Sequence, residues 1–248
     1  MTNSADAIVH EVVDITDAHF GARRHAVCVY GSFASGCTTS DLDLFVAADD
    51  PTREDMLVLQ EGVVGAHKRH ELRLDDEVPY ENKLLASYQD VGKAVLLQGL
   101  DVSTAAIRIP PIEKTAEFLS SYSVRLRLLF NALTTPNIVI ARDDGSLESA
   151  KDVAERSLLI LAINNVRSTR FTVHELIVSL LKSEAGDEGE MFLGYKEEEP
   201  VLSHLKRILS EKIGIFLQDG TLARDGGHLT VERDAFRKKI AEMGEFPK

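Results

Sequence analysis

Cysteine is scarce in this chain, with only Cys28 and Cys37 among 248 residues. Neither lies at a metal-ligand spacing, and two cysteines do not make the disulfide framework of a small secreted domain. The sequence also lacks a run of about 18 apolar residues, which a membrane-spanning helix requires. Its N-terminus has no basic segment followed by an apolar one, the pattern of a secretory signal. We therefore expect a cytoplasmic protein with no membrane segment and no cysteine-bound zinc.

Basic residues are also few, particularly in the first half of the chain. The whole sequence has 28 Lys and Arg against 40 Asp and Glu, and residues 1–124 hold 10 of the basic and 20 of the acidic side chains. Nonspecific binding of nucleic acids depends on Lys and Arg that displace counterions from phosphates. The charge therefore disfavours a nucleic-acid partner and favours a cationic one.

The first half of the sequence alternates helical and strand patterns. Hydrophobic residues make up 44% of the chain and charged residues 27%, which excludes disorder and a collagen repeat and indicates a globular core. Apolar periodicity predicts helices over 4–19 and 52–67, and strands over 26–30, 41–46 and 71–78. Such an order is typical of an α+β or α/β unit.

The second half has mainly helical periodicity. Pro110 and Pro111 predict a linker, because paired prolines end a helix. Beyond them, helices are predicted over 113–133, 147–166, 172–183 and 199–213, a small hairpin within 214–231, and a last helix through Arg237 and Met243. We therefore expect an α+β protein with a catalytic domain over 1–109, built on a mixed sheet with helices, and a mainly α-helical domain over 110–248.

Two short motifs, close together in the sequence, indicate a binding site. Gly31-Ser32 follows a predicted strand, and Asp41 and Asp43 stand two residues apart where the next strand is predicted. Alternate residues of a strand share a face, so the two carboxylates are expected side by side, where a hard cation such as Mg²⁺ or Mn²⁺ would neutralise them. The backbone N–H groups and hydroxyl of a Gly-Ser turn at the start of a helix suit a phosphate. The sequence thus predicts a metal and a phosphate at one place.

These motifs resemble those of the nucleotidyltransferase superfamily typified by DNA polymerase β, in which a Gly-Ser turn precedes Asp-x-Asp on the next strand. The resemblance covers residues 26–78, with Ser40 and the apolar segment 44–46 also typical of the family. Eight residues separate Ser32 from Asp41, a shorter spacing than in many members. The chain is most similar to the small-molecule, aminoglycoside-type enzymes in its order of domains, its length and its acidic first half.

The resemblance implies a reaction and a set of residues. A nucleoside monophosphate would pass from a nucleoside triphosphate to a hydroxyl group of a small molecule, an aminoglycoside-like antibiotic or another metabolite, with two Mg²⁺ ions and release of pyrophosphate. Asp41 and Asp43 would hold the metal, and a third carboxylate would complete the metal site or act as base toward the acceptor hydroxyl. Asp75 is the first candidate for it and Glu77 the second, because both share strand parity with Arg73. Gly31, Ser32, Ser40 and Lys83 are assigned to the nucleotide, with Lys93 as the alternative lysine.

Other residues and other functions are weaker candidates. His67 and His70 have a helical spacing that suits a metal, but no third ligand is near them in the sequence, and we assign them no metal. Arg125, Arg127 and Arg142 are interpreted as ion-pairing residues rather than phosphate ligands. Transfer of the nucleotide to a protein or tRNA, as in toxin–antitoxin systems, is an alternative function, and a nucleotide-binding protein without turnover is another. The nucleotide, the acceptor and the oligomeric state are left open by the sequence.

Overall fold

A mixed four-stranded sheet lies between two groups of helices. The computed structural model describes residues 4–36, 41–74, 78–96, 115–166, 168–181, 195 and 197–242. In the first half these form α1 (Ser4–Phe20), β1 (His25–Tyr30), α2 (Gly31–Ala34), β2 (Asp43–Ala48), α3 (Arg53–Arg69), α4 (Tyr80–Lys83), β3 (Leu85–Ser87) and α5 (Tyr88–Val95). The prediction of an α+β protein is confirmed.

Helices predominate in the second half of the described chain. Its elements are α6 (Ala116–Leu119), α7 (Tyr122–Thr134), β4 (Asn137–Arg142), α8 (Ser146–Val166), β5 (Arg170–Phe171), α9 (Val173–Val178), α10 (Glu199–Gln218), β6 (Leu222–Asp225), β7 (His228–Val231) and α11 (Arg233–Glu242). The expected hairpin is β6 and β7, which pair antiparallel, and β5 extends them to a second sheet of order β5-β7-β6. None of the helices in the described part of the chain has the length and hydropathy that crossing a bilayer demands.

The main sheet has the strand order β3-β2-β1-β4. β1 pairs antiparallel with both β2 and β4, and β3 lies parallel to β2. β4 comes from the half of the sequence that was assigned mainly to helices, so this sheet takes strands from both sides of the expected boundary at 109/110. That boundary itself lies outside the described residues, and the division into two domains stays a prediction.

Each face of the sheet is buried under helices. Val27, Val29 and Leu44 pack with residues of α1 and α3 in one core cluster. Cys28 and Phe45, on the opposite face, belong to a second cluster with residues of α5, α7, α8 and α10. Burial in that second cluster raises the pKa of the Cys28 thiol to about 12, so this cysteine is a packing residue. Cys37 lies outside the described residues.

The strand predicted over 71–78 is wrong for residues 71–74. Glu71 has a φ of +56°, in the left-handed region, and the chain there caps α3 instead of extending. The backbone N–H of Leu72 donates to the carbonyl of His67 (2.9 Å) and that of Glu71 to the carbonyl of Lys68 (3.4 Å), which together form a Schellman cap. Residues 75–77 lie outside the described residues. The strand that adjoins β2 is β3.

The N-terminus of α3 is fixed by a buried carboxylate. Asp55 accepts hydrogen bonds from the backbone N–H of Thr52 (2.8 Å) and from Arg23 (2.6 Å), and it contacts His19 Nε2 at 2.7 Å. Thr52 and Asp55 form a reciprocal capping box. The hydrogen bonds from Arg23, with those from Thr52 and His19, hold the pKa of Asp55 well below its usual range although burial opposes the shift.

Replacing Asp55 by Asn tests this cap. A carboxyl whose pKa is lowered by folding stabilises the protein above its unfolded pKa of about 4 and loses that contribution as the pH falls further. We expect Asp55→Asn to lower the free energy of unfolding by about 2 kcal/mol at neutral pH. In urea titrations the gap to the wild type should begin to narrow near about pH 4 and should go on narrowing as the pH falls below it. The control is Asp49→Asn, which breaks a partly exposed pair with Arg24 and should cost under about 1 kcal/mol. A gap that stays constant with pH would contradict this assignment.

Candidate active site

The Gly-Ser turn and the second aspartate meet at one end of the main sheet. β1 ends at Tyr30, whose partner across the antiparallel pair is Asp43, the first residue of β2. Gly31 follows with a φ of +75°, which glycine adopts readily. A Cβ built on Gly31 would lie 2.6 Å from Asp43 Oδ2, closer than van der Waals contact. A larger residue at this position would therefore force the Asp43 carboxylate to move.

The segment after Gly31 is a single helical turn. α2 spans only Gly31–Ala34, and Ser35 closes it by donating both its backbone N–H (3.2 Å) and its hydroxyl (2.9 Å) to the carbonyl of Gly31. Ser32 is half-buried on this turn. The structure thus brings Gly31, Ser32 and Asp43 together, as the motifs predict. Ser40 lies outside the described residues.

Asp41 is placed differently from the expectation. β2 begins at Asp43, so Asp41 lies in a bend two residues before the strand, half-buried, with the buried Leu42 between the two aspartates. Strand alternation therefore fixes the face of Asp43 alone. Within the described ranges no group of three or more His, Cys, Asp or Glu side chains is arranged to hold a metal ion. The third-carboxylate candidates, Asp75 and Glu77, lie outside those ranges. The oxygen donors of Asp41 and Asp43 are the kind that Mg²⁺ prefers, and in that respect the pair fits the ion.

A pocket opens beside Asp43, between β2, α3 and α4. Lys83 is one of the residues that line it, so the structure brings this lysine and Asp43 into one pocket. Lys83 Nζ also lies 5.0 Å from the centre of the Tyr80 ring. Lys93, the alternative lysine, is not part of the pocket wall, and its ammonium group lies 5.5 Å from the ring centre of Tyr122 instead.

The pocket also contains side chains that had no role in the predicted site. Tyr30, Tyr80 and His67 line it together with aliphatic residues. His67 was considered only as a metal ligand with His70, but the structure separates the two. His70 Nε2 contacts Glu11 at 2.8 Å, whereas His67 is 4% exposed and bonds within its own helix. The signal that could have found His67 is its place four residues after Val63 on the apolar face of α3.

Arg125 and Arg142 form ion pairs, as expected. Arg125 donates to Asp90 (2.9 Å) and to the carbonyl of Leu85 (2.7 Å), and Arg142 donates to Asp17 (3.2 Å). Burial alone would raise the pKa of Asp90, but hydrogen bonds from Tyr122 and Arg125 lower it on balance. Arg127 is 2% exposed, and burial lowers its pKa.

Comparisons with known proteins add no relative. No protein family, no curated protein and no solved structure was found to match this chain. The geometry of the site and the motifs that form it are therefore the whole basis for a function.

Gly31→Ala tests the close approach of Gly31 to the Asp43 carboxylate. Gly36, in the same segment, has a similar φ of +72°, but a Cβ there would meet nothing within 4 Å. Gly36→Ala should therefore cost only the backbone strain, about 1 kcal/mol in the free energy of unfolding. Gly31→Ala should cost at least as much, because the added methyl must also displace the Asp43 carboxylate, the end of a side chain that can rotate. Urea unfolding of both variants measures the two losses, and a smaller loss in Gly31→Ala than in Gly36→Ala would contradict the close approach.

Proposed function

We propose that this protein transfers a nucleoside monophosphate from a nucleoside triphosphate to a hydroxyl group of a small molecule, with release of pyrophosphate. The observation that carries the proposal is the contact of Gly31 with the Asp43 carboxylate at the end of β1 and β2. Because of this contact, the Gly-Ser motif and the second aspartate of the Asp-x-Asp motif lie next to each other. As part of this proposal, residues 1–109 form a polymerase-β-like catalytic domain and residues 110–248 a helical domain, in a cytoplasmic protein.

Each residue of the site has a distinct task in this reaction. The N–H groups of the turn at Gly31 and the hydroxyl of Ser32 bind phosphate oxygens of the triphosphate. Lys83, in the same pocket as Asp43, offsets negative charge at that end of the substrate. Asp41 and Asp43 would hold Mg²⁺, which when bound neutralises charge on the triphosphate and the leaving pyrophosphate. Asp75, or Glu77 in its place, remains our candidate base for the acceptor hydroxyl.

The acceptor is inferred from charge. Residues 1–124 carry 20 acidic and 10 basic side chains, and a surface of that sign attracts cations. A small, hydroxylated and cationic molecule of the aminoglycoside type is therefore the proposed acceptor class. The same charge balance supports a small molecule over tRNA, whose binding depends on basic residues.

Pyrophosphate release tests the proposal. The wild type is incubated with Mg²⁺ and each of the four ribonucleoside triphosphates, with aminoglycosides, other hydroxylated metabolites, tRNA or no acceptor. We expect release that depends on one small acceptor. Asp41→Asn and Asp43→Asn should lower the rate by on the order of a hundredfold or more, because each removes a metal-binding oxygen and its charge.

The matched control is Asp50→Asn. Asp50 lies just beyond the other end of β2, is exposed, and has a φ of +42°, which asparagine tolerates well. This variant changes the net charge by the same amount and should keep the wild-type rate. Near-normal rates in Asp41→Asn or Asp43→Asn would refute the metal assignment. Label from the triphosphate that stays on protein or tRNA would replace the small-molecule acceptor with a macromolecular one.

A further inference from the structure

The segment that carries Lys83 is short and has little support from its own helix. α4 spans only the four residues Tyr80–Lys83, and the chain continues through Leu84 into β3. A helix of this length is unstable in isolation, because most of its carbonyl groups have no partner within the helix. On one side β2 fixes the segment, where the backbone N–H of Val46 donates to the carbonyl of Leu84 (2.7 Å). The position of Lys83 in the pocket with Asp43 therefore depends on contacts from other elements.

The guanidinium group of Arg125, on α7, holds this segment from a second direction. It donates to the carbonyl of Glu81 and to that of Leu85 (2.7 Å), which stand two residues before and two residues after Lys83. A planar guanidinium group has five N–H donors and can bond both carbonyls at once, which the compact ammonium group of a lysine does less well. Arg125 thus binds the backbone on both sides of the lysine.

Asp90 and Tyr122 hold Arg125 itself in place. Arg125 Nε and Nη2 lie 3.1 Å and 2.9 Å from one carboxylate oxygen of Asp90, and the Tyr122 hydroxyl donates to the other oxygen (2.7 Å). The side chains of Arg125 and Asp90 are each 17% exposed. This ion pair alone joins α5 to α7 and needs no contact with α4. The two carbonyl contacts are additional, and they are the ones that reach the segment of Lys83.

A second contact ties α4 to the same part of the chain. Asn82, the residue before Lys83, donates from Nδ2 to the carbonyl of Leu119 (2.8 Å), at the end of α6. The lysine is therefore held through its neighbours by α6 and α7 as well as by β2.

We propose that Arg125 is a positioning residue for the nucleoside triphosphate, because it fixes the segment from α4 to β3 so that the ammonium group of Lys83 meets the phosphate end of the substrate. This inference rests on the proposed function, in which Lys83 offsets negative charge on the triphosphate. The donors of Arg125 are directed to Asp90, Glu81 and Leu85 and not to the substrate. Its effect on nucleotide binding should therefore pass through Lys83.

A double-mutant cycle between Arg125 and Lys83 tests this dependence. Calorimetry with Mg²⁺ and without an acceptor measures the affinity for whichever of the four ribonucleoside triphosphates the wild type binds most tightly. We expect Lys83→Met to lower this affinity about tenfold and Arg125→Met about threefold or more, because the first removes and the second displaces a charged donor to phosphate. In the Lys83→Met background, Arg125→Met should change the affinity by less than about twofold, because the lysine that it positions is gone.

Two controls separate positioning from loss of packing and loss of charge. Tyr122→Phe removes a hydrogen bond to Asp90 but leaves the contacts of Arg125 with the two carbonyls. Arg142→Met removes the same charge at the other end of the main sheet, where Arg142 lies opposite His25. Both variants should bind the triphosphate as the wild type does. A loss in either control equal to that in Arg125→Met would overturn the inference.

The remaining outcomes distinguish this inference from the proposed function. If Arg125→Met binds as the wild type does, lowers the affinity by the same factor in both backgrounds, or if Lys83→Met has no effect, Arg125 does not act through Lys83. If the wild type binds none of the four triphosphates, the proposed function itself fails. Should Arg125→Met not fold, as thermal unfolding would show, Arg125→Lys takes its place in the cycle. Its ammonium group keeps the charge opposite Asp90 but lacks the fork that bonds both carbonyls, so wild-type affinity in Arg125→Lys would then refute the positioning role.

Discussion

The pairing of β1 with β2 is the interaction on which the candidate site depends. Six residue pairs, from His25 opposite Ala48 to Tyr30 opposite Asp43, align the two strands antiparallel. The turn after β1 and the start of β2 therefore lie at the same end of the sheet. A slip of one residue would move every side chain of β2 to the other face and replace Asp43 by an aliphatic residue beside Gly31. The register of β1 and β2 therefore determines whether the Asp43 carboxylate lies beside the Gly31 turn.

That register is fixed by packing on both faces. Leu44 and Val46 are buried under α1 and α3, while Phe45 and Ala47 are buried in the cluster that includes α7 and α8. The second cluster joins residues from both halves of the sequence, and β4 pairs with β1 along its whole length. The helical half of the chain therefore helps to hold Asp43 in place although it contributes none of the predicted metal ligands.

Much of the fold follows from local patterns in the sequence. The helix predicted to begin at Thr52 does so because Thr52 and Asp55 satisfy the first free N–H groups of α3. The strands β1 and β2 were predictable because they are short apolar runs that end at turn residues. The hairpin of β6 and β7 was marked by Gly226 and Gly227. The meeting of Gly31 with Asp43 was predictable too, since it needs only two antiparallel neighbours.

Features that depend on distant contacts were not predictable. Glu71 ends α3 in a left-handed conformation for which glycine is the usual signal, so its alternating neighbours were mistaken for a strand. β3 has only three residues, and β4 is partly exposed and has no marked alternation. The sequence alone suggests a surface position for Lys212, but its side chain is only 2% exposed. Its ammonium group lies 2.7 Å from Asp152 and 2.9 Å from Glu155. Those acids lie on another helix, which no local pattern reveals.

The end of β2 supplies two environments within three residues. Asp43 and Phe45 lie on one face of the strand, and Leu42 and Leu44 lie on the other, where both leucines are buried in the cluster with α1 and α3. Because Leu42, Asp43 and Leu44 all line one pocket, a carboxylate stands there between two aliphatic side chains. Strand alternation produces this contrast between adjacent residues more sharply than a helix does, because neighbours on a helix are only about 100° apart. A strand end beside a glycine turn can therefore present a carboxylate at the edge of the sheet while the residues on either side of it anchor the strand in the core.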